Sequence, residues 1–187
     1  MLNWIHKMAT GRNTIIFFVL DLIMMMGVMP YASKRLQAAV GGDTEVPPLD
    51  LSVPTYSVDF AHQSIEAYGE AGRAVYRTIE LTADVIYPII YGLAFAFLIA
   101  YFWSRIAPRL RWLPLLAVAT VLFDYAENAM IVTMLNSYPE QSDLVAQMSA
   151  IFSLCKWVLV FAIMGLALVG FVIWLVRPKA QQQPALQ

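Results

Sequence analysis

Four apolar stretches, each about as long as a bilayer is thick, constrain this chain more than any other feature. A hydrocarbon core about 30 Å thick is crossed by roughly 20 helical residues at about 1.5 Å each. Runs of that kind lie near 14–30, 83–103, 112–137 and 149–176. The first is interrupted only by Asp21, and the second has no charge after Asp84. The third contains the sequence FDYAENAMIV at 123–132, and the fourth contains Lys156. Of the 187 residues, 60% are hydrophobic and only 13% charged, too little polar surface to cover a soluble domain of this size. The implied fold class is an all-α membrane protein: a four-transmembrane-helix bundle forming one domain over 1–187, with a loop at 31–82 and a tail at 177–187.

The basic residues set the orientation. Lys7 and Arg12 precede the first run, Arg105, Arg109 and Arg111 lie between the second and third, and Arg177 and Lys179 follow the fourth. None of the 13 acids falls in those regions. The positive-inside rule therefore predicts cytoplasmic termini in a bacterial inner membrane, with outer loops at 31–82 and 138–148. Trp103, Trp112 and Trp174 then belong to the inner aromatic belt, and Tyr87, Tyr138 and Trp157 to the outer one. A cleaved signal peptide is disfavoured, because Asp21 interrupts its apolar region and no small-x-small site follows. Cys155 is the single cysteine, so there is no disulfide framework. The tail RPKAQQQPALQ reads as a short disordered end.

Within the long loop, GGDTEVPPLDLSVPTY at 41–56 reads as an extended connector, given its three prolines and glycine pair. Ser57 is a predicted N-cap, and Ala61, Ile65 and Tyr68 recur at helical spacing. A short amphipathic helix is therefore expected near 58–68, with a break at Gly69–Gly72. A second helix is expected to run uninterrupted from Arg73 into the bilayer. Arg73, Arg77, Glu80 and Asp84 follow one another at spacings of four, three and four, a charged ladder descending toward the membrane. Pro88 lacks a donor and crowds the Asp84 carbonyl, which predicts a kink there.

Depth brings the buried polar groups together. Asp21 lies roughly 13 Å below Pro30, Glu127 and Asn128 lie at a similar depth, and Asp124 sits about one turn deeper. Lys156 enters the fourth helix by about 10 Å, and Asp84 marks the outer mouth. Thr120, Asp124, Glu127, Asn128 and Ile131 share one helix face; Ser149, Ser153, Lys156 and Val160 share another. A charge at the bilayer centre costs about 2.5–3.5 kcal/mol even on the mild insertion scale, so these groups must be paired or neutralised. Lys156 is expected to pair with Glu127 or Asp124. The pattern predicts a polar chamber opening outward, with ligand-binding candidates Asp21, Arg77, Glu80, Asp84, Tyr87, Tyr91, Asp124, Glu127, Asn128, Ser153 and Lys156. Asp84, Asp124 and Glu127 are the catalytic candidates. His6 and His62 match no metal-ligand spacing, although the carboxylates alone could hold a hard divalent cation; no cofactor motif occurs, and no basic patch suggests nucleic acid.

The segments YGEAGRAVYRTIELTADVIYPIIYG and FDYAENAMIV resemble a group of small bacterial four-helix integral membrane proteins of unassigned activity. The likeness covers about residues 55–132 through Gly69, Gly72, Arg73, Tyr76, Asp84, Pro88, Tyr91, Asp124, Glu127 and Asn128. It implies an inner-membrane protein and no activity. Claudin-type proteins share the topology, but their paired loop cysteines are missing here.

Three functions fit these residues. The first is a small binding or accessory protein that holds an amphiphilic small molecule or another membrane protein. The second is an intramembrane acid–base enzyme acting on a lipid or isoprenoid, and the third is a proton-linked transporter. The rival to all three is interhelical glue, in which polar groups merely hydrogen-bond the helices to one another.

Overall fold

The computed structural model describes residues 1–41 and 46–176. Part of the predicted connector and the whole predicted tail, with Arg177 and Lys179, lie outside the described residues. Among those described, the chain is helical throughout and without strands. Eight α-helices are formed: α1 (Leu2–Met8), α2 (Gly11–Ile23), α3 (Met29–Val40), α4 (Val58–Ala67), α5 (Gly69–Glu80), α6 (Ala83–Ile106), α7 (Leu115–Ser137) and α8 (Asp143–Val176). Four helical stretches are long and apolar enough to cross a membrane: Gly11–Val40, Gly69–Ile106, Pro108–Ser137 and Asp143–Val176. Large apolar side chains such as Ile15, Met26, Leu122, Val158 and Leu168 stay exposed along them. Exposed apolar surface of this extent marks a membrane or protein contact surface.

The first of these stretches does not end at Pro30. A π-helical turn at Met24–Val28 joins α2 to α3, and the helix continues to Val40. Residues 31–40, expected as loop, are therefore helical. Pro30 sits in the first turn of α3, and the wide π turn before it accommodates a residue that cannot donate to the preceding turn.

The amphipathic helix forms where predicted. Ser57 Oγ accepts from Phe60 N at 3.1 Å, capping α4, and Ala61, Ile65 and Tyr68 are buried. The break, however, is confined to one junction. Gly69 takes the left-handed conformation (φ 62°) that ends α4 and begins α5. Gly72 lies inside α5, where an added Cβ would come 2.9 Å from Val40 Cγ2, so its role is close packing against α3. The helix from Arg73 is interrupted at Leu81–Thr82, before α6 begins. There the Thr82 hydroxyl donates to the Thr78 carbonyl at 2.5 Å, a side-chain bond of the kind that bends helices.

Two apolar clusters divide the bundle. One gathers Leu36, Leu49, Tyr56, Ile65, Tyr68, Tyr76, Ile131 and Met134 at the end where the long loop folds. The other gathers Ile5, Ala96, Phe97, Ile99, Leu113, Ala117 and Ile163 at the end carrying Arg105, Arg109 and Arg111. Between them the helices place their polar residues. Close approach of α6 to α7 is set by Gly92, where a Cβ would stand 2.4 Å from Val121 Cγ2.

Candidate functional site

The residues between the two clusters form one buried polar centre. On α7, Asp124, Glu127 and Asn128 fall between Ala117 of one cluster and Ile131 of the other; on α8, Ser149, Ser153 and Lys156 fall between Ala146 and Ile163. Helical spacing of three and four keeps each set on one inward face. Glu127 is completely buried, and Lys156, Asp124 and Asn128 nearly so.

Lys156 is the hub. Its Nζ stands 2.5 Å from Glu127 Oε2 and 3.8 Å from Asp124 Oδ1, and it donates to the Asp50 carbonyl at 3.1 Å. Trp157 Nε1 donates to the same carbonyl at 3.3 Å. Tyr91 donates its hydroxyl to Asp124 Oδ2 at 2.7 Å. Asn128 Nδ2 donates to Asp84 Oδ2 at 2.8 Å and to the Asp84 carbonyl at 3.3 Å. That second bond answers Pro88, whose missing N–H would otherwise have served this carbonyl four residues back. Tyr125 donates likewise to the Val85 carbonyl at 2.6 Å. Two carbonyls of the turn before Pro88 thus receive donors from α7.

Asp50 is the residue the sequence reading missed. The segment 48–51 does not stay outside as a connector; it forms a short 3₁₀ turn at Leu49–Leu51 with Leu49 and Asp50 buried. Tyr76 donates to Asp50 Oδ1 at 2.6 Å. The rest of the loop is fastened around it. Tyr68 donates to the Pro47 carbonyl at 2.7 Å, Thr55 to the Ala150 carbonyl at 2.6 Å, and Tyr56 shares a 2.6 Å hydrogen bond with Ser149. Burial pushes the Tyr56 phenol well above its ordinary range, and the Glu127 carboxylate adds to this, so the hydroxyl stays protonated. The loop residues therefore close the polar centre on this side, where an outward opening was expected. What remains is a cleft with room for about one water.

The predicted site residues divide into those brought together and those left out. Glu80, Asp84, Tyr91, Asp124, Glu127, Asn128, Ser153 and Lys156 converge. Tyr87 packs edge-to-face on Tyr91 with ring centroids 5.4 Å apart, whereas Asp21 is buried in α2 with its Oδ1 lacking a hydrogen-bond partner among the described residues. Arg77 does not take part: it is exposed and donates to Asn136 Oδ1 at 2.9 Å. Arg73 also leaves the ladder, donating to the Ile65 carbonyl at 3.1 Å with its guanidinium 3.7 Å above the Tyr138 ring. The buried stripe of α5 and α6 is Gly72, Tyr76, Glu80, Asp84, Pro88 and Tyr91. Its members Gly72 and Tyr76 each precede an arginine of the ladder, Arg73 and Arg77, by one residue, about 100° around the helix.

Five carboxyl groups, of Asp50, Glu80, Asp84, Asp124 and Glu127, thus gather around one ammonium. Some of their atoms have no hydrogen-bond partner among the described residues. Both oxygens of Glu80 are in this state. No set of three or more His, Cys, Asp or Glu among the described residues is arranged to hold a metal ion.

Fold and centre together define a class: an all-helical protein with four helices long and apolar enough to cross a membrane, built around a buried carboxylate layer. No family model, curated protein or solved structure matches the chain.

Proposed function

We propose that this is a multi-pass protein of the bacterial inner membrane, of the small four-helix kind it resembles, that binds an amphiphilic ligand at its outer-half polar centre. The observation that carries this reading is the mismatch between buried acceptors and buried donors. Interhelical glue pairs its groups, because a buried polar group left unpaired costs about 1–3 kcal/mol. Here five buried carboxyls accompany one buried ammonium, Lys156, which pairs with Glu127 and Asp124, and neither Glu80 oxygen has a hydrogen-bond partner among the described residues. A ligand that brings hydrogen-bond donors or positive charge compensates both deficits, and the 48–51 segment must move aside to admit anything larger than water.

Native mass spectrometry of the full chain, extracted in a mild detergent, tests this. The expected result is a stoichiometric amphiphile on the wild type that is lost from the Ser153→Leu variant. An empty wild-type protein would overturn the reading.

An intramembrane acid–base enzyme is the second reading, favoured by Tyr91 donating to Asp124 beside the Glu127–Lys156 pair. Conversion of the retained amphiphile, rather than its return intact, separates the two. Proton-linked transport has less support. Such proteins chain acids across the membrane, and here the cluster near Arg105, Arg109 and Arg111 is apolar.

The orientation is tested by labelling. In a Cys155→Ser background, a cysteine at Ser142 is expected to react with an impermeant thiol reagent outside intact cells, and one at Asn3 is not. The reverse pattern would invert the topology.

A further inference from the structure

The cleft left beside the 48–51 segment is bounded by Asp50, Tyr76, Glu80 and Asp84 on one side and by Met29 and Ser33 of α3 on the other. Glu80 is its most unusual wall. Its side chain is 2% exposed, yet neither carboxylate oxygen has a hydrogen-bond donor among the described residues. Tyr76 is close enough to act on Glu80, but it has one hydroxyl hydrogen and gives it to Asp50. Arg77, the adjacent cation, turns outward to Asn136. Lys156 is engaged by Glu127, Asp124 and the Asp50 carbonyl. Three carboxyls therefore border the cleft, and no cation of the described chain directly contacts them there.

The cleft as it stands has room for about one water beside the 48–51 segment, which favours a small head group on whatever completes this site. It fits one group the size of water, with hydrogens to donate in several directions. A primary ammonium meets both conditions: it carries three N–H donors and keeps its charge at neutral pH, with an ordinary pKa of about 10.4. A trimethylammonium group meets neither, having no N–H and three methyls to accommodate. An apolar tail also has a place to lie. One turn from Met29, Met25 and Met26 of the π turn are 49% and 73% exposed on the apolar face of the first span, and methionine surfaces adapt to varied chains.

We infer that the Asp50–Glu80–Asp84 cleft receives the primary ammonium head of an amphiphile, donated to Glu80, with the tail along Met25 and Met26. This inference rests on the ligand-binding reading above and names the head group that reading leaves open. The chemistry is shared by an aminophospholipid and by a simple long-chain amine.

The test titrates the full chain, purified in an uncharged maltoside detergent, with dodecylamine and with dodecyltrimethylammonium, following binding by calorimetry. A parallel arm compares ethanolamine-headed with choline-headed phospholipid added to the micelles. The expected result is a preference of about tenfold or more for the primary amine, lost in both Glu80→Gln and Ser33→Leu. Ser33→Leu fills the cleft from α3 without touching a carboxyl, so it serves if the Glu80 variant does not fold. Preference for the ethanolamine lipid over dodecylamine identifies a lipid head as the source, and the converse identifies a free amine; both support the site. Equal binding of primary and quaternary amines, or a preference that survives both variants, overturns it. If an amphiphile without an amine is nonetheless retained by the wild type and lost in Ser153→Leu, the ammonium inference falls and the broader binding function stands.

Discussion

Replacing Lys156 by methionine is expected to destabilise the protein by about 3–5 kcal/mol, the usual cost of removing one partner from a buried ion pair. Methionine is close to lysine in length and will fill the same channel between α7 and α8, so lost packing contributes little. What is lost is, among the described residues, the only cation paired with Glu127, 2.5 Å away, and Asp124, 3.8 Å away. Both carboxyls are almost inaccessible to water, so solvent cannot take over the ammonium's role. The Asp50 carbonyl fares better, because Trp157 Nε1 still donates to it at 3.3 Å. The loop should therefore stay seated while the helix pair beneath it loosens. Denaturation of the purified protein in mixed micelles checks this; a change below about 1 kcal/mol, as for an exposed pair, would mean that water reaches the ammonium.

Asn128→Leu is expected to cost about 2 kcal/mol, by a different route. Asn128 gives hydrogen bonds to the carboxylate and the backbone carbonyl of Asp84, at 2.8 and 3.3 Å. Membrane-buried side-chain hydrogen bonds are worth about 0.6 kcal/mol on average and about 1.7 at most, and two are removed together. The carbonyl is left bare only because Pro88 has no N–H to offer it. Pro88→Ala should therefore restore part of the loss in the Asn128→Leu background, about 0.5–1.5 kcal/mol, by supplying the missing backbone donor. The same refolding measurement on the single and double variants reads this out. Equal effects of Pro88→Ala with and without Asn128 would show that the side chain does not cap that carbonyl.

Much of this arrangement was legible because helices repeat. Spacings of three and four put Asp124, Glu127 and Asn128 on one face and Ser149, Ser153 and Lys156 on another, and the structure brings those faces together. Where periodicity is absent the reading failed. Asp50 sits in a proline-rich stretch, and its place in the centre is fixed by Tyr76 and Lys156, which are 26 and 106 residues away. Its local signal was slight: the apolar residues Leu49 and Leu51 on either side of an acid, in a proline-rich connector. Arg77 was misplaced for the opposite reason, since helical spacing alone does not say which of two neighbouring stripes faces inward. Proline misled at Pro30, where the π turn carries the helix onward to Val40. The helix expected to run uninterrupted from Arg73 is broken at Leu81–Thr82. Side-chain donors from α7 let the helix pass through Pro88 unbroken.

The claim that these residues form one buried centre is tested most directly by the double-mutant cycle of Lys156→Met with Glu127→Gln. Glu127→Gln keeps the side chain's shape while removing the carboxylate that Lys156→Met leaves without its ammonium. In the double variant much of the loss should therefore be recovered, with a coupling energy of about 1–3 kcal/mol between the two positions. Additivity within about 0.3–0.5 kcal/mol, the behaviour of distant and independent sites, would contradict the account.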